Sequence, residues 1–290
     1  MHKEENSVKK HLPTILIIVV FIVGISVFLY PTVSNYLYEQ NSSKAIVEHA
    51  KKMEKLTPQQ IAQEKKAVQR YNISLFKNAV VLTDPFDPDA YPITDGEYDE
   101  LLAFDDIMAY IEIPAINVYL PIYHGTKEET LQIGVGHLEN TSLPLGGEST
   151  HTVLSAHCGL PSAKLFTDLH LLKTGNIFRI HVLDEVLSYQ VYSIDVVDPD
   201  DSSSLHIQRG KDLTTLITCT PYGKNTHRLL VHGKRINENS GEMTAEPTVE
   251  KEFTWDDFAK IAAIVISAVF VLLLLASKIT WLSKKRKKKN

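Results

Sequence analysis

Two uncharged stretches near the ends of the 290-residue chain place the strongest limit on its architecture. Residues 14–30 contain no charged side chain, and as a helix they span about 26 Å, close to the thickness of the hydrocarbon core of a bilayer. Residues 261–276 are also uncharged, and Lys278 and Trp281 extend that stretch with side chains suited to a membrane interface. The sequence therefore predicts transmembrane helices at 14–30 and 261–282.

Basic residues lie on the outer side of each stretch and predict its orientation. Three lysines occur within residues 1–13, and five lysines and one arginine within residues 283–290. Because such residues stay in the cytoplasm, we expect a cytoplasmic N-terminus, a basic cytoplasmic tail and an extracellular domain at 31–258. A cleaved signal peptide is the alternative for the first stretch, but no small-x-small cleavage site follows Tyr30.

Net charge distinguishes the domain from its flanks. The chain carries −5 overall; the tail from residue 278 contributes seven positive charges and residues 1–13 a net one, so the remainder carries −13. An acidic domain disfavours nucleic acid as a partner. The basic tail adjoins a membrane segment, where topology and anionic lipid account for it, so the expected partner is the cell membrane.

Three regions are predicted within the extracellular domain. Residues 35–76 are rich in Ala, Lys, Glu and Gln and predict helix, with Thr57 before Pro58 as an N-cap. Residues 82–96 contain three prolines and four aspartates and predict a loop. Residues 107–237 alternate strand patterns with turns, which is typical of a closed, mostly antiparallel β-barrel. The predicted strands are Ala109–Ile113, Val118–Ile122, Val153–His157, Ile177–Val182, Leu187–Val197, Thr214–Cys219 and Arg228–Ile236, with a helical turn at 165–172.

Three reactive side chains fall at strand ends. Cys219 ends one predicted strand, Arg228 begins the next, and His157 ends a third. A thiol, an imidazole and a guanidinium are the components of a thiolate nucleophile, its proton carrier and an oxyanion stabiliser. From the residues alone, an inert buried cysteine, a histidine bonded to a backbone carbonyl and a surface ion pair are the alternatives.

These residues stand in motifs that resemble a known family. Residues 215–219 read Thr-Leu-Ile-Thr-Cys and resemble the sortase signature Thr-Leu-x-Thr-Cys. Asp84, Pro85 and Phe86 resemble the lid motif of class C, pilus-assembling sortases of Gram-positive bacteria. The resemblance extends over roughly residues 31 to 282. Further segments fit that class: Ile111–Pro114, Gly134–His137 and Leu160–Ala163.

The resemblance implies a mostly β, sortase-type barrel with N-terminal helices, a lid loop and two flanking transmembrane helices. It implies a cysteine transpeptidase that cleaves a Leu-Pro-x-Thr-Gly-like sorting signal between Thr and Gly. Cys219 would hold the thioacyl intermediate, and a lysine amine of another pilin subunit would resolve it as an isopeptide bond. The lid would place its carboxylate near Arg228 and its ring near Cys219. No cofactor is expected, because amide exchange needs no redox step, and no metal-ligand spacing occurs in the sequence.

Two other function classes stay open on the sequence. A surface cysteine peptidase would use the same nucleophile with water as the acceptor. A catalytically silent, membrane-anchored binding protein would use the barrel only as a scaffold. The sequence names neither the pilin nor the acceptor lysine.

One residue, Cys158, departs from the pattern of the resemblance. Class C sortases usually read His-Arg-Gly where this chain has His157-Cys158-Gly159, which removes a positive charge. Strand alternation points Cys158 away from Cys219, so no disulfide is expected between the only two cysteines. His137 lies in a family-like motif, but the sequence assigns it no role.

Overall fold

The computed structural model describes residues 5–78, 80–87 and 96–237. The predicted second transmembrane segment at 261–282 and the basic tail at 283–290 lie outside the described residues, as do residues 88–95 of the predicted lid loop.

The chain begins with a long helix, α1 (Glu5–Met53). Residues up to 31 belong to a separate unit from the domain that follows, and they include the predicted 14–30 segment. Their apolar side chains are largely exposed within this unit, as at Phe28, which is 82% exposed. Within the described residues, this is the one helix long and apolar enough to cross a membrane.

A second helix, α2, spans Pro58–Lys77. The predicted helical region at 35–76 is therefore two helices, with a break between Met53 and Pro58. Thr57 caps α2 as predicted: its Oγ1 accepts a hydrogen bond from the Gln60 backbone amide at 3.2 Å. The Gln60 side chain accepts one from the Thr57 amide at 2.9 Å, which completes a capping box. Two shorter helices follow, α3 (Glu97–Glu100) and α4 (Glu128–Ile133).

Eight strands close into a barrel in the order β1-β2-β3-β4-β7-β8-β6-β5. Two of the eight strand pairs, β2–β3 and β4–β7, are parallel and the others are antiparallel, so the predicted mostly antiparallel barrel is confirmed. The strands are β1 (Ala109–Ile113), β2 (Val118–His124), β3 (Val135–His137), β4 (Thr150–Ser155), β5 (Ile177–Val182), β6 (Glu185–Val197), β7 (Asp212–Thr220) and β8 (His227–Arg235).

Strands β4 and β7 are buried on both faces, which sets them apart from the alternating pattern of β5. Leu154 and Leu216 point into the main barrel core. Val153 and Ile217 face outward and join a second apolar cluster. The other buried members of this cluster are Leu82, Leu138, Leu205 and Leu230. Because Leu82 begins the predicted lid loop, this cluster holds the start of that loop against the outer face of the sheet.

Several predicted strand ends differ from the structure by one to three residues, and one strand was not predicted. Strand β3 is only three residues long, too short to give a periodic pattern, and it was not predicted. Strand β4 ends at Ser155, not at His157 as predicted. The chain turns there into a loop in which Gly159 has φ +82°, a conformation that side chains with a Cβ rarely adopt.

Candidate active site

Cys219 and Arg228 lie directly opposite each other on neighbouring strands. They are paired in the antiparallel register of β7 and β8. Both are buried, with 7% of Cys219 and 9% of Arg228 exposed. Opposed residues in such a ladder project to the same face of the sheet, so the thiol and guanidinium share one surface.

His157 is brought to the same level by the parallel pairing of β4 with β7. The last register pair of these strands is Ser155 with Ile217, two residues before His157 and Cys219 respectively. Beyond it, the Thr218 hydroxyl donates a hydrogen bond to the Ala156 carbonyl at 2.7 Å. This bond continues the contact past the end of β4 and holds the segment leading to His157.

Asp84 of the predicted lid binds Arg228 through two hydrogen bonds. Arg228 Nε donates to Asp84 Oδ1 at 2.8 Å, and Nη2 donates to Oδ2. The remaining terminal nitrogen, Nη1, donates to the backbone carbonyls of Asn225 and His227, both at 3.1 Å. Every nitrogen of the guanidinium therefore has a partner within the protein, and the paired side chains are only about one-tenth exposed.

Phe86 contacts both His157 and Arg228 through its ring. Its ring centroid is 5.7 Å from that of the His157 ring, and Arg228 Cζ lies 5.2 Å from the Phe86 centroid, a cation–π distance. Pro85 is buried, and Phe86 packs against the second apolar cluster. Asp84 and Phe86, which are 71 positions or more from the proposed catalytic residues in sequence, thus contact Arg228 and His157. The resemblance implied a ring near Cys219, and the observed ring contacts are with His157 and Arg228.

Burial and the positive charge of Arg228 shift the pKa of the Cys219 thiol in opposite directions. Burial raises the pKa of Cys219 to about 11, and the nearby carboxylate of Asp84 and thiol of Cys158 add to the rise, whereas Arg228 lowers it. Burial also disfavours the charged form of Arg228, but hydrogen bonding to Asp84 together with the nearby charges of Cys219, Asp84 and Asp200 outweighs it and raises the pKa of the guanidinium. With Asp84 on Arg228, the site therefore favours the neutral thiol.

Cys158 is a free thiol, as is Cys219. The alternation argument for its facing does not apply, because β4 ends three residues before it. It lies close enough to Cys219 to influence that thiol, and burial together with Asp168 raises the pKa of Cys158 itself.

His137 has a structural position that the sequence did not reveal. Its Nε2 donates a hydrogen bond to the Ser142 carbonyl at 2.9 Å, so Nδ1 is the acceptor for the Tyr98 hydroxyl at 3.0 Å. Tyr98 in turn accepts from the Gly125 amide at 3.0 Å. Burial lowers the pKa of His137 to about 4, so a neutral ring joins α3 to β3.

A second series of buried hydrogen bonds, besides that of His137, crosses the outer face of the sheet. His151 Nδ1 donates to the His206 carbonyl at 3.1 Å, which leaves Nε2 to accept from the Thr215 hydroxyl at 2.7 Å. Thr215 accepts from His232 Nδ1 at 2.8 Å. The first threonine of the Thr-Leu-x-Thr-Cys signature thus cross-links three neighbouring strands, β4, β7 and β8.

Glu128 is a site residue that the sequence analysis missed. It opens α4, and its Oε2 lies 3.3 Å from His157 Nε2. Its other oxygen, Oε1, accepts a hydrogen bond from the Gln132 side chain at 2.9 Å. An acidic residue in the first turn of a short helix normally only complements the helix dipole, so nothing in the sequence singled it out.

His227, the sequence neighbour of Arg228, has a different partner: its Nε2 lies 3.5 Å from Asp198 Oδ1. Within residues 5–78, 80–87 and 96–237, no three His, Cys, Asp or Glu side chains come together as metal ligands.

The fold and site define a closed β-barrel protein with cysteine, histidine and arginine at one end of three adjacent strands. A family profile described as the sortase domain matches residues 111–236. Sortase D of Bacillus subtilis (strain 168) is 33% identical over 129 residues, which are 43% of this chain and 62% of that protein. The chain thus spans less than two thirds of the length of this curated relative.

Solved structures are similar over nearly the whole length of their chains. Sortase C-1 from Actinomyces oris is 46% identical, with a TM-score of 0.60, 62% of this chain covered and 100% of that one. Sortase C-1 from Streptococcus pneumoniae is 45% identical, with a TM-score of 0.63, 67% of this chain covered and 99% of that one. The chain belongs to the sortase family, and these structural neighbours are class C members of it.

Proposed function

We propose that this protein is a cysteine transpeptidase that cleaves a Leu-Pro-x-Thr-Gly-like sorting signal and joins pilin subunits through isopeptide bonds. The observation that carries the proposal is the pairing of Cys219 with Arg228 on β7 and β8, beside the segment that leads from the end of β4 to His157. The similarity to sortase C structures, one of which is described by its pilin substrate specificity, supports pilins as the substrate class.

In the first half-reaction, the Cys219 thiolate attacks the Thr carbonyl carbon, and the carbonyl oxygen takes up negative charge. Arg228, once released from Asp84, supplies donors to that oxygen or to nearby substrate carbonyls. The C–N bond then breaks, and His157 gives its proton to the departing glycine amine, which leaves far better protonated. The product is a thioester on Cys219.

In the second half-reaction, a lysine amine of another pilin attacks the thioester. A new C–N bond forms, the C–S bond breaks, a proton from the attacking nitrogen returns to His157, and Cys219 leaves as thiolate. This chemistry exchanges one amide for another, so electrons are balanced without an oxidant, a reductant or a cofactor.

We propose that Asp84, Pro85 and Phe86 form a lid that represses the enzyme. The Asp84–Arg228 contact occupies the oxyanion donors, and the Phe86 ring lies against His157. With the pKa of Cys219 at about 11, on the order of one thiol in ten thousand is ionised at pH 7. Opening the lid would remove the Asp84 charge from the thiol and free the guanidinium.

We propose a multi-pass membrane location with the catalytic domain outside the cell. The apolar part of α1 supports the first membrane segment. The predicted domain limits, with the catalytic domain at 31–258 and the second segment at 261–282, complete this topology.

Product analysis tests the function. The full-length chain in detergent is incubated with a Leu-Pro-x-Thr-Gly peptide, with and without a lysine-containing peptide, and the products are identified by mass spectrometry. An isopeptide-linked product is expected in the presence of lysine. Cleavage to a free Thr carboxylate at the same rate in both samples would identify a peptidase, and no Cys219 adduct or cleavage would favour a binding protein.

A further inference from the structure

The second half-reaction makes a demand on the site that the three aligned residues do not meet. A lysine side chain has a pKa near 10.4, so at neutral pH nearly all of it is an ammonium ion, which is not a nucleophile. The site must therefore hold a cation beside the thioester and remove one proton from it. Arg228 repels a cation, so this holding group must be another residue.

Glu128 has the geometry of such a group. Its Oε2 lies 3.3 Å from His157 Nε2, beside the residue that handles protons. The bond from Gln132 to Oε1 fixes the plane of the carboxylate and leaves Oε2 turned toward His157. The side chain of Glu128 is 64% exposed, so an incoming cation can reach it from solvent.

The two atoms are close enough for one nitrogen, placed to one side of the pair, to bond to both. Among the described residues, His157 Nε2 has no hydrogen-bond partner, and its contact with Oε2 lacks hydrogen-bond geometry. An ammonium nitrogen at about 2.8 Å from each atom would donate one hydrogen to the carboxylate and one to the imidazole. In this position the carboxylate of Glu128 would bind the positive charge of the lysine ammonium while His157 accepts a proton from the same nitrogen.

We propose that Glu128 is a specificity-determining residue that receives the ε-ammonium of the acceptor lysine. The inference rests on the proposed transpeptidase function. After acylation His157 is neutral, because it has given its proton to the glycine amine. It takes one proton from the bound ammonium, and the neutral amine attacks the thioester. The amine's second proton leaves for solvent as the amide forms, and the cycle ends with Cys219 as thiolate and His157 protonated.

Glu128→Gln tests this assignment, with Glu129→Gln as the matched control. Both glutamates lie in the first turn of α4, so each substitution removes the same charge from the same turn. The full-length chain carries Asp84→Ala and Phe86→Ala in every sample to keep the site open. The readouts are the acylation rate with sorting-signal peptide and the KM for two acceptors. One acceptor is a lysine peptide and the other is hydroxylamine, which is largely uncharged at neutral pH.

Glu128→Gln should raise the KM for the lysine peptide about five-fold, the size expected for loss of one exposed ion pair. Acylation and the KM for hydroxylamine should stay within about two-fold, since neither involves a cation. Equal losses with both acceptors, or the same effect from Glu129→Gln, would overturn the assignment, as would an unchanged KM for lysine. If the enzyme acylates but transfers to no amine even with Glu128 intact, the transpeptidase function itself fails.

Discussion

At the scale of single residues, the chemistry depends on which of two cysteines is acylated. Cys219 lies opposite Arg228, whereas Cys158 lies in the loop after β4, and burial raises the pKa of both thiols. Their proximity means that reactivity toward a thiol reagent alone does not identify the nucleophile.

Cys219→Ala should abolish acyl-enzyme formation, and Cys158→Ala should largely preserve it, because Cys219 is the cysteine that lies opposite Arg228 in the strand register. Intact-mass measurement of both full-length variants after incubation with sorting-signal peptide checks this. An adduct that persists in Cys219→Ala and disappears in Cys158→Ala would reverse the assignment.

Residue spacing in the sequence was informative for some site residues only. Cys219 and Arg228 flank one hairpin connection, so nine positions of sequence were enough to place them together. Asp84 is 144 positions from Arg228, and only the family motif suggested their contact. Glu128 belongs to no motif and reaches His157 through the packing of α4, which no local pattern encodes.

At the scale of elements, the proposed repression by the lid would depend on how the lid packs against the sheet. Leu82 is anchored in the second apolar cluster, and Asp84 and Phe86 extend from there to the site. If the open form is ~1% populated, closure stabilises the protein by about 2.7 kcal/mol, and full opening speeds access up to ~100-fold.

Asp84→Ala combined with Phe86→Ala should therefore speed both alkylation of Cys219 and peptide cleavage, by a factor approaching ~100. Rates are measured on the full-length chain in a Cys158→Ala background, so that one thiol is followed. Val81→Ala is the control, since Val81 lies in the same segment and is 81% exposed. Unchanged alkylation in a folded double variant would mean that the segment is an ordinary turn.

The His137 contacts predict a pH effect on stability. Its pKa falls from 6.5 to about 4 on folding, because burial disfavours the charged ring and nearby His124 adds to the effect. As pH falls below 6.5 the unfolded chain takes up the proton first, so stability is lost between pH 6.5 and 4.

His137→Gln should make the loss of unfolding free energy between pH 7.5 and 5 smaller by about 2 kcal/mol, whatever its effect at neutral pH. Urea denaturation of the full-length chain in detergent at both pH values measures the difference. His170→Gln is the control because His170 is exposed. A pH dependence identical to that of the unsubstituted protein would contradict the role of His137.

Strand bounds were predicted best where both ends carry a local signal. β1 and β5 match their predictions. A proline follows Ile113 at the end of β1, and the alternating pattern of β5 lies between two turns, the second of which follows Val182. The parallel pairing of β4 with β7 could not be predicted, because parallel strands are joined by long connections that carry no register information. His157 lies beyond the end of its strand for the same reason: its position depends on a partner from another part of the chain.

At the scale of the whole molecule, the charge pattern predicts which side of the membrane each region occupies. Protease added to intact protoplasts should digest the domain between residues 35 and 257 and spare a tag at Asn290, because basic flanks remain inside. Immunoblotting of the tag measures this, and permeabilised protoplasts, which should lose the tag, are the control. Removal of the tag from intact protoplasts would contradict the topology.

The contact of Asp84 and Phe86 with the site also outlines an inhibitor. A carboxylate and an aromatic ring, two positions apart in sequence, reach Arg228 and His157 at the same time. A small molecule with these two groups at the same separation would make the same two contacts, with Arg228 and His157. It would compete with the Asp84–Phe86 segment, which is part of the same chain and so has an effective concentration on the order of millimolar. Potency would therefore need a rigid scaffold or a thiol-reactive group directed at Cys219.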